Sequence, residues 1–174
     1  MNLKRGSEDL LPVYRNCVFR SDERVASHHH VAQELSEHTL RWKRGAADVA
    51  LFKSGLQQIE IFVLRYGAEI EVRPRPFERF ALAHMSLRGA AEMTVDGNYV
   101  GVGEGRTAFI APRHDVSLRW HAGTEQLIIK LPLDLLRLID EGHGVLRGAP
   151  SAFLLPGRVD SQWQWLVRSV LNLA

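Results

Sequence analysis

Leu64-Arg65-Tyr66-Gly67-Ala68-Glu69-Ile70-Glu71-Val72 is the stretch that decides the fold. An apolar strand stops at Gly67, the chain reverses, and an alternating strand restarts at Glu69. Strand signals continue on both sides of it. Upstream, His38 to Lys43 and Asp48 to Lys53 are separated by Arg44-Gly45-Ala46-Ala47, and Leu56 to Tyr66 follows. Downstream, Pro74-Arg75-Pro76 punctuates before Phe77 to Leu87, the longest strand expected. Ala90 to Val95 leads into Asp96-Gly97-Asn98, a tight-hairpin signal, and Asn98 to Val102 returns. Thr107 to Ala111, Asp115 to His121 and Glu125 to Leu131 complete the run. Many short strands with frequent turn residues specify a mainly β sandwich or barrel over residues 17–131, not a parallel sheet.

Helices flank this core. Ser21 or Asp22 can cap a helix running to about Leu35, with Val25, His28, Val31, Ala32 and Leu35 on one stripe. Residues 1–16 are polar, carry no period, and read as a loose arm. Residues 132–174 read as a C-terminal helical segment. Pro132 to Glu141 forms a helix with Leu135, Leu136 and Ile139 inward, Gly142 to Pro150 a loop, and Asp160 or Ser161 caps a last helix. Trp163, Leu166, Val167, Val170 and Leu171 recur three and four apart on that helix and are the candidate dimerisation stripe. The helix lacks a stop signal, so the sequence reads as cut from a longer chain.

Composition bounds the function. The 174 residues are 45% hydrophobic and 24% charged, with a formal net charge of +2, so no large basic footprint for nucleic acid exists. Cys17 is the sole cysteine; it can form no intrachain disulfide, and a reducing, cytoplasmic setting is expected. No apolar run approaches the ~20 residues that span a bilayer, and the N-terminus carries no secretory signal.

Catalytic signatures are missing. His28-His29-His30 lie on a helix, where consecutive residues point about 100° apart and cannot ligate one metal together. No H-x-H pair falls on a strand, and His84 and Glu92 are separated by the turn at Gly89, so the metal-barrel pattern is absent. There is no G-x-S-x-G elbow, and Gly101 to Gly105 precedes no helix, so it is a hairpin turn and not a phosphate loop. We therefore expect no enzyme, no metal and no cofactor. Alternation instead puts Phe80, Leu82, His84, Ser86 and Arg88 on a mixed polar and aromatic face of the long strand, opposite an apolar face of Ala81, Ala83, Met85 and Leu87. Phe80, His84, Ser86 and Arg88, with Trp42, Tyr66, Arg119 and Trp120 from other strands, are the candidate ligand-binding residues, since small-molecule sites combine apolar walls with a few placed polar groups.

Several short motifs carry a family resemblance in their order: Phe19-Arg20-Ser21-Asp22-Glu23, Leu64 to Ala68, Leu87-Arg88-Gly89 before a hairpin, Gly103-Glu104-Gly105-Arg106-Thr107-Ala108 leading to Pro112, and Leu133-Asp134-Leu135-Leu136. Over residues 17–174 the chain resembles the N-terminal cupin-like ligand-binding domain of AraC/XylS-family transcription regulators. The resemblance implies a double-stranded β-helix barrel followed by helices. It also implies a small effector (aromatic carboxylates among them), a homodimer, and control of a C-terminal DNA-binding domain with two helix-turn-helix motifs. That second domain is expected to lie outside this sequence, in which no helix-turn-helix is recognisable. Two rivals stand beside this reading: a cupin-type metal-dependent enzyme, and a dimerisation module whose barrel is filled.

Overall fold

A computed structural model describes residues 3–140 and 150–173, and only the backbone of Ile139. The chain runs through a short 3-10 turn (Glu8–Leu10), α1 (Leu11–Tyr14), β1 (Cys17–Ser21), α2 (Arg24–Glu34), β2 (His38–Trp42), β3 (Val49–Leu56), β4 (Ile59–Arg65) and β5 (Ile70–Pro74). Next come β6 (Phe80–Arg88), β7 (Ala91–Val95), β8 (Asn98–Val102), β9 (Thr107–Ile110), β10 (Val116–Trp120), β11 (Glu125–Pro132), α3 (Leu133–Asp140), β12 (Ala152–Leu154) and α4 (Gly157–Leu171). The strands form two antiparallel sheets. One orders β1-β3-β4-β11-β6-β9-β12, the other β2-β5-β10-β7-β8. From β4 onward the chain passes repeatedly from one sheet to the other, which is the winding of a double-stranded β-helix and agrees with the resemblance.

The opening stretch plays a different part from a simple hairpin. β4 pairs with β3 and β11, whereas β5 pairs with β2 and β10. The chain at Gly67 therefore turns a corner between sheets. Gly67 has φ +77, and a Cβ there would sit 2.8 Å from the Asp48 backbone nitrogen, so no other residue fits without strain. The corner is pinned by Asp48 N–H donating to the Tyr66 carbonyl at 2.9 Å and Gly123 N–H donating to the Gly67 carbonyl at 2.8 Å. At the β7–β8 hairpin, Asp96 and Gly97 both have positive φ, the turn anticipated from Asp96-Gly97-Asn98.

Two apolar clusters result. The inner one lies between the sheets and includes Leu64, Tyr66, Val72, Leu82, Leu118, Trp120 and Ile128. The outer one covers the other face of the seven-stranded sheet and joins Ala83, Met85, Leu87, Val63 and Leu127 to Val167 and Leu171 of α4. Both faces of β6 are thus buried: Leu82 and His84 look into the barrel, while Ala83 and Met85 look out to α4.

Several expectations change. Residues 1–16 do not form a loose arm in their described part. Leu3, Leu10 and Val13 are fully buried in the outer cluster, and three apolar side chains in a polar stretch suffice to seat it. The arm is also held by charge. The buried Glu125 carboxylate accepts from the Tyr14 hydroxyl and lies 3.5 Å from Arg5 and 4.0 Å from Arg65. Phe19 to Ser21 belong to β1 rather than a helix entry, and Glu23 caps α2 by accepting from the backbone N–H groups of Val25 and Ala26. Val25 is exposed, so the buried stripe of α2 is Ser27, Val31 and the flanking Leu35. β3 continues to Leu56, with Gln57 at φ +55 turning into β4.

α4 begins at Gly157, after Pro156, not at Asp160 or Ser161. Asp160 is buried and accepts from Arg106 at 3.2 Å. Leu135 and Leu136 of α3 are half-buried. The inward placement of Ile139, and the helix end and loop expected over 141–149, lie outside the described side chains and residues.

Candidate functional site: an apolar cavity between the sheets

The inner faces of both sheets meet α2 around a cavity of about 60 Å³. Val31 of α2, then Leu35, Ser36 and His38 at its exit, close one side. Leu64 and Tyr66, Val72 and Pro74, Leu82 and His84, Leu118 and Trp120, and Ile128 supply the rest. The wall is almost wholly apolar. Its rings are arranged edge to face: Tyr66 and Trp120 are 5.5 Å apart between centroids, and His84 lies 6.5 Å from Trp120. Such pairs add about 0.5–1.5 kcal/mol beyond area burial and fix ring orientation.

Among the described residues, several polar atoms in this apolar setting lack partners. Neither ring nitrogen of His84 has a hydrogen bond, nor has Nε1 of Trp120, nor Nε2 of His38. Gln126, on the same face of β11 as Ile128, has both amide atoms unpartnered. An unsatisfied buried polar group costs about 1–3 kcal/mol, and each one calls for an explanation. Burial pushes the His84 imidazole down to about 4, so it is neutral at pH 7. Burial also lowers His38 and raises the Tyr66 hydroxyl above its ordinary range, so both are neutral at pH 7 as well.

The eight candidate ligand residues are divided by the fold. Tyr66, His84 and Trp120 line the cavity. Trp42 packs edge-on behind Tyr66, at 5.7 Å between centroids. Phe80 is partly buried at the other end of β6 and stacks on Phe77 at 5.0 Å. Ser86 is buried but donates to the Gly89 carbonyl at 2.8 Å and so pins the β6–β7 turn. Arg88 is exposed at the end of β6. Arg119 sits on the outer face of β10, opposite in pleat to Leu118 and Trp120, and is bound to Glu69 at 2.7 Å. Arg119 holds the Glu69 carboxyl below the usual carboxylate range. Sequence reading missed His38 and Gln126; the even spacing of Gln126 from Ile128 was the available signal for the latter.

Among the described residues, no three His, Cys, Asp or Glu side chains gather as a metal-ligand set. Glu92 lies on the outer face with His121 at 3.2 Å, away from His84.

Residues 27–174 match the family model of the AraC-binding-like domain. The chain belongs to that family. The AraC-like transcriptional activator CuxR is a similar solved structure, with TM-score 0.69 and 14% identity over 87% of this chain and 58% of that one. This AraC-binding-like chain thus spans a little over half the length of that activator, and the likeness is one of fold. Weaker structural likenesses include the Schizosaccharomyces pombe Cnp3 cupin domain (TM-score 0.42, 13% identity, 56% of this chain and 74% of that one). Another is an S161A mutant of Bacillus subtilis oxalate decarboxylase (TM-score 0.39, 17% identity, 72% and 42%). No curated protein sequence matches the chain. No described helix is long and apolar enough to cross a membrane.

Proposed function

We propose that this domain is the sensor half of a transcription regulator, working in the cytoplasm as a homodimer and governing an attached DNA-binding domain. A small effector enters between the sheets, and the protein is not an enzyme. The observation that carries this reading is the set of unpartnered polar atoms kept in an apolar, aromatic interior. A protein that only needed a filled core would do better with carbon at those positions. The cavity is smaller than the ~150 Å³ that holds benzene in an engineered core. An aromatic effector therefore has to displace part of the lining. Val31, Leu35, Ser36 and His38 come from α2 and its exit, so occupancy shifts the population toward a state in which that segment has moved.

The small void also favours a second reading, a dimerisation module with a filled barrel. One comparison separates them. The chain is screened by thermal unfolding against a chemically diverse small-molecule library, alongside Leu118→Phe, which fills the cavity. A sensor gives hits that raise the midpoint by about 5–10 °C at a hundredfold excess over Kd and lose that shift in Leu118→Phe. A filled module gives no hit with either protein.

Dimerisation is proposed through the outward face of α4. The buried face is Asp160, Gln164, Val167 and Leu171. Gln164 is held there by accepting from Leu3 N–H at 2.8 Å and donating to the Gly105 carbonyl at 3.0 Å. Of the expected stripe, Val167 and Leu171 are used up against the barrel, Trp163 and Val170 are partly so, and Leu166 stays exposed. Val159, Trp165 and Leu173 join Leu166 on the free face.

A further inference from the structure

We propose that the effector is an uncharged, largely apolar molecule carrying one or two hydrogen-bonding groups, of the alcohol, phenol or indole kind, and not a carboxylate. This rests on the sensor reading and narrows it, away from the aromatic carboxylates that the resemblance implied.

Charge decides the class. Among the described residues, no lysine or arginine lines the cavity. The two arginines that could have served are elsewhere: Arg88 is exposed, and Arg119 is on the outer face with Glu69 at 2.7 Å and Glu92 at 3.9 Å. The histidines of the lining are neutral at pH 7, as shown above. A carboxylate entering this space would shed its hydration and meet no compensating cation, a cost that exceeds any gain from apolar burial of a small ring.

Hydrogen bonding then sets the polar requirement. His38 Nδ1 lies 2.7 Å from the Ser36 carbonyl. A carbonyl only accepts, so Nδ1 carries the hydrogen and Nε2 of the neutral ring is a bare acceptor. Trp120 Nε1–H is a donor only. Both atoms lack partners. Neutral His84, with two unpartnered nitrogens, offers one donor and one acceptor. A hydroxyl can donate to one of these groups and accept from another. An indole-type N–H can satisfy an acceptor, and the rest of either molecule is apolar like the wall.

The test uses pairs matched in ring and closely in size, titrated calorimetrically into the chain at pH 7.5: benzyl alcohol against benzoate, and indole-3-methanol against indole-3-carboxylate. The neutral member of each pair is expected to bind at least tenfold more tightly, and its binding is lost in Leu118→Phe. Carboxylates binding as well as their neutral partners, with that binding lost in Leu118→Phe, would overturn the neutral class and leave the sensor barrel standing. Neutral binding that survives Leu118→Phe would overturn the placement. No binding by any probe at millimolar concentration would count against the neutral class and the sensor reading together.

Discussion

Lowering the pH from 7 to 5 is expected to destabilise the fold by about 2 kcal/mol through His84 alone. The imidazole is fully enclosed, and burial holds it at about 4, whereas the unfolded chain titrates near 6.5. Between those values the unfolded state binds the extra proton. Stability is therefore complete above 6.5 and declines as the pH falls toward 4. His38, also lowered by burial, acts in the same direction. The carboxylates of Glu60 and Glu69, held low by Lys53 and by Arg119 among other neighbours, lose their contribution only at more acid pH. Urea unfolding at pH 7, 6 and 5 for the chain and for His84→Leu isolates the effect: the variant's curve is flatter by about 2 kcal/mol over this window. Parallel curves would mean that His84 is not a desolvated interior base.

The second large effect concerns assembly. Val159 and Leu166 are seven residues apart on α4, Leu173 follows seven residues on, just past the helix end, and Trp165 flanks them; Trp165 is 64% and Leu173 73% exposed. Tryptophan is among the residues whose loss from an interface costs about 2 kcal/mol or more, so Trp165→Asp is expected to weaken self-association by roughly 30-fold or more. The folded barrel is untouched, because the face that docks on it is formed by Val167 and Leu171. Sedimentation equilibrium of the chain and the variant measures this. A chain that stays monomeric at high concentration, or a variant that associates equally well, would remove α4 as the dimer face.

How far the sequence reaches follows from the range of the interactions. The positions of β2 to β11 were legible to within a few residues, because pleat alternation and turn residues are local, whereas β1 was read as a helix entry and the three-residue β12 was not read as a strand. Gly67 was legible as a break, but its role as a corner between sheets was not. That depends on β4 finding β11 and β5 finding β10, pairings more than 40 residues away. The seating of Leu3, Leu10 and Val13 was hidden because polar neighbours masked them. α4 was misphased for a related reason. Asp160 and Gln164 occupy its buried face through bonds to Arg106, Leu3 and Gly105, which no hydrophobic period can register. In the site, Tyr66, His84 and Trp120 were found from alternation and ring chemistry. Arg119 was put forward with them, although alternation along β10 sets it opposite Trp120. His38 was missed although it opens β2 on the same face as Leu40 and Trp42, a two-residue period that sequence reading carried no further back than Trp42.

The central claim, that a ligand binds between the sheets, is tested most directly by methyl-resolved NMR of the chain titrated with benzyl alcohol. Shifts are expected at Leu64, Leu82, Leu118 and Ile128 of the inner cluster, spreading to Val31 and Leu35 of the α2 side, with near-silence at Val63, Leu127 and Leu171 of the outer cluster. Shifts confined to the outer cluster or to α4, with the inner methyls unmoved, would contradict it.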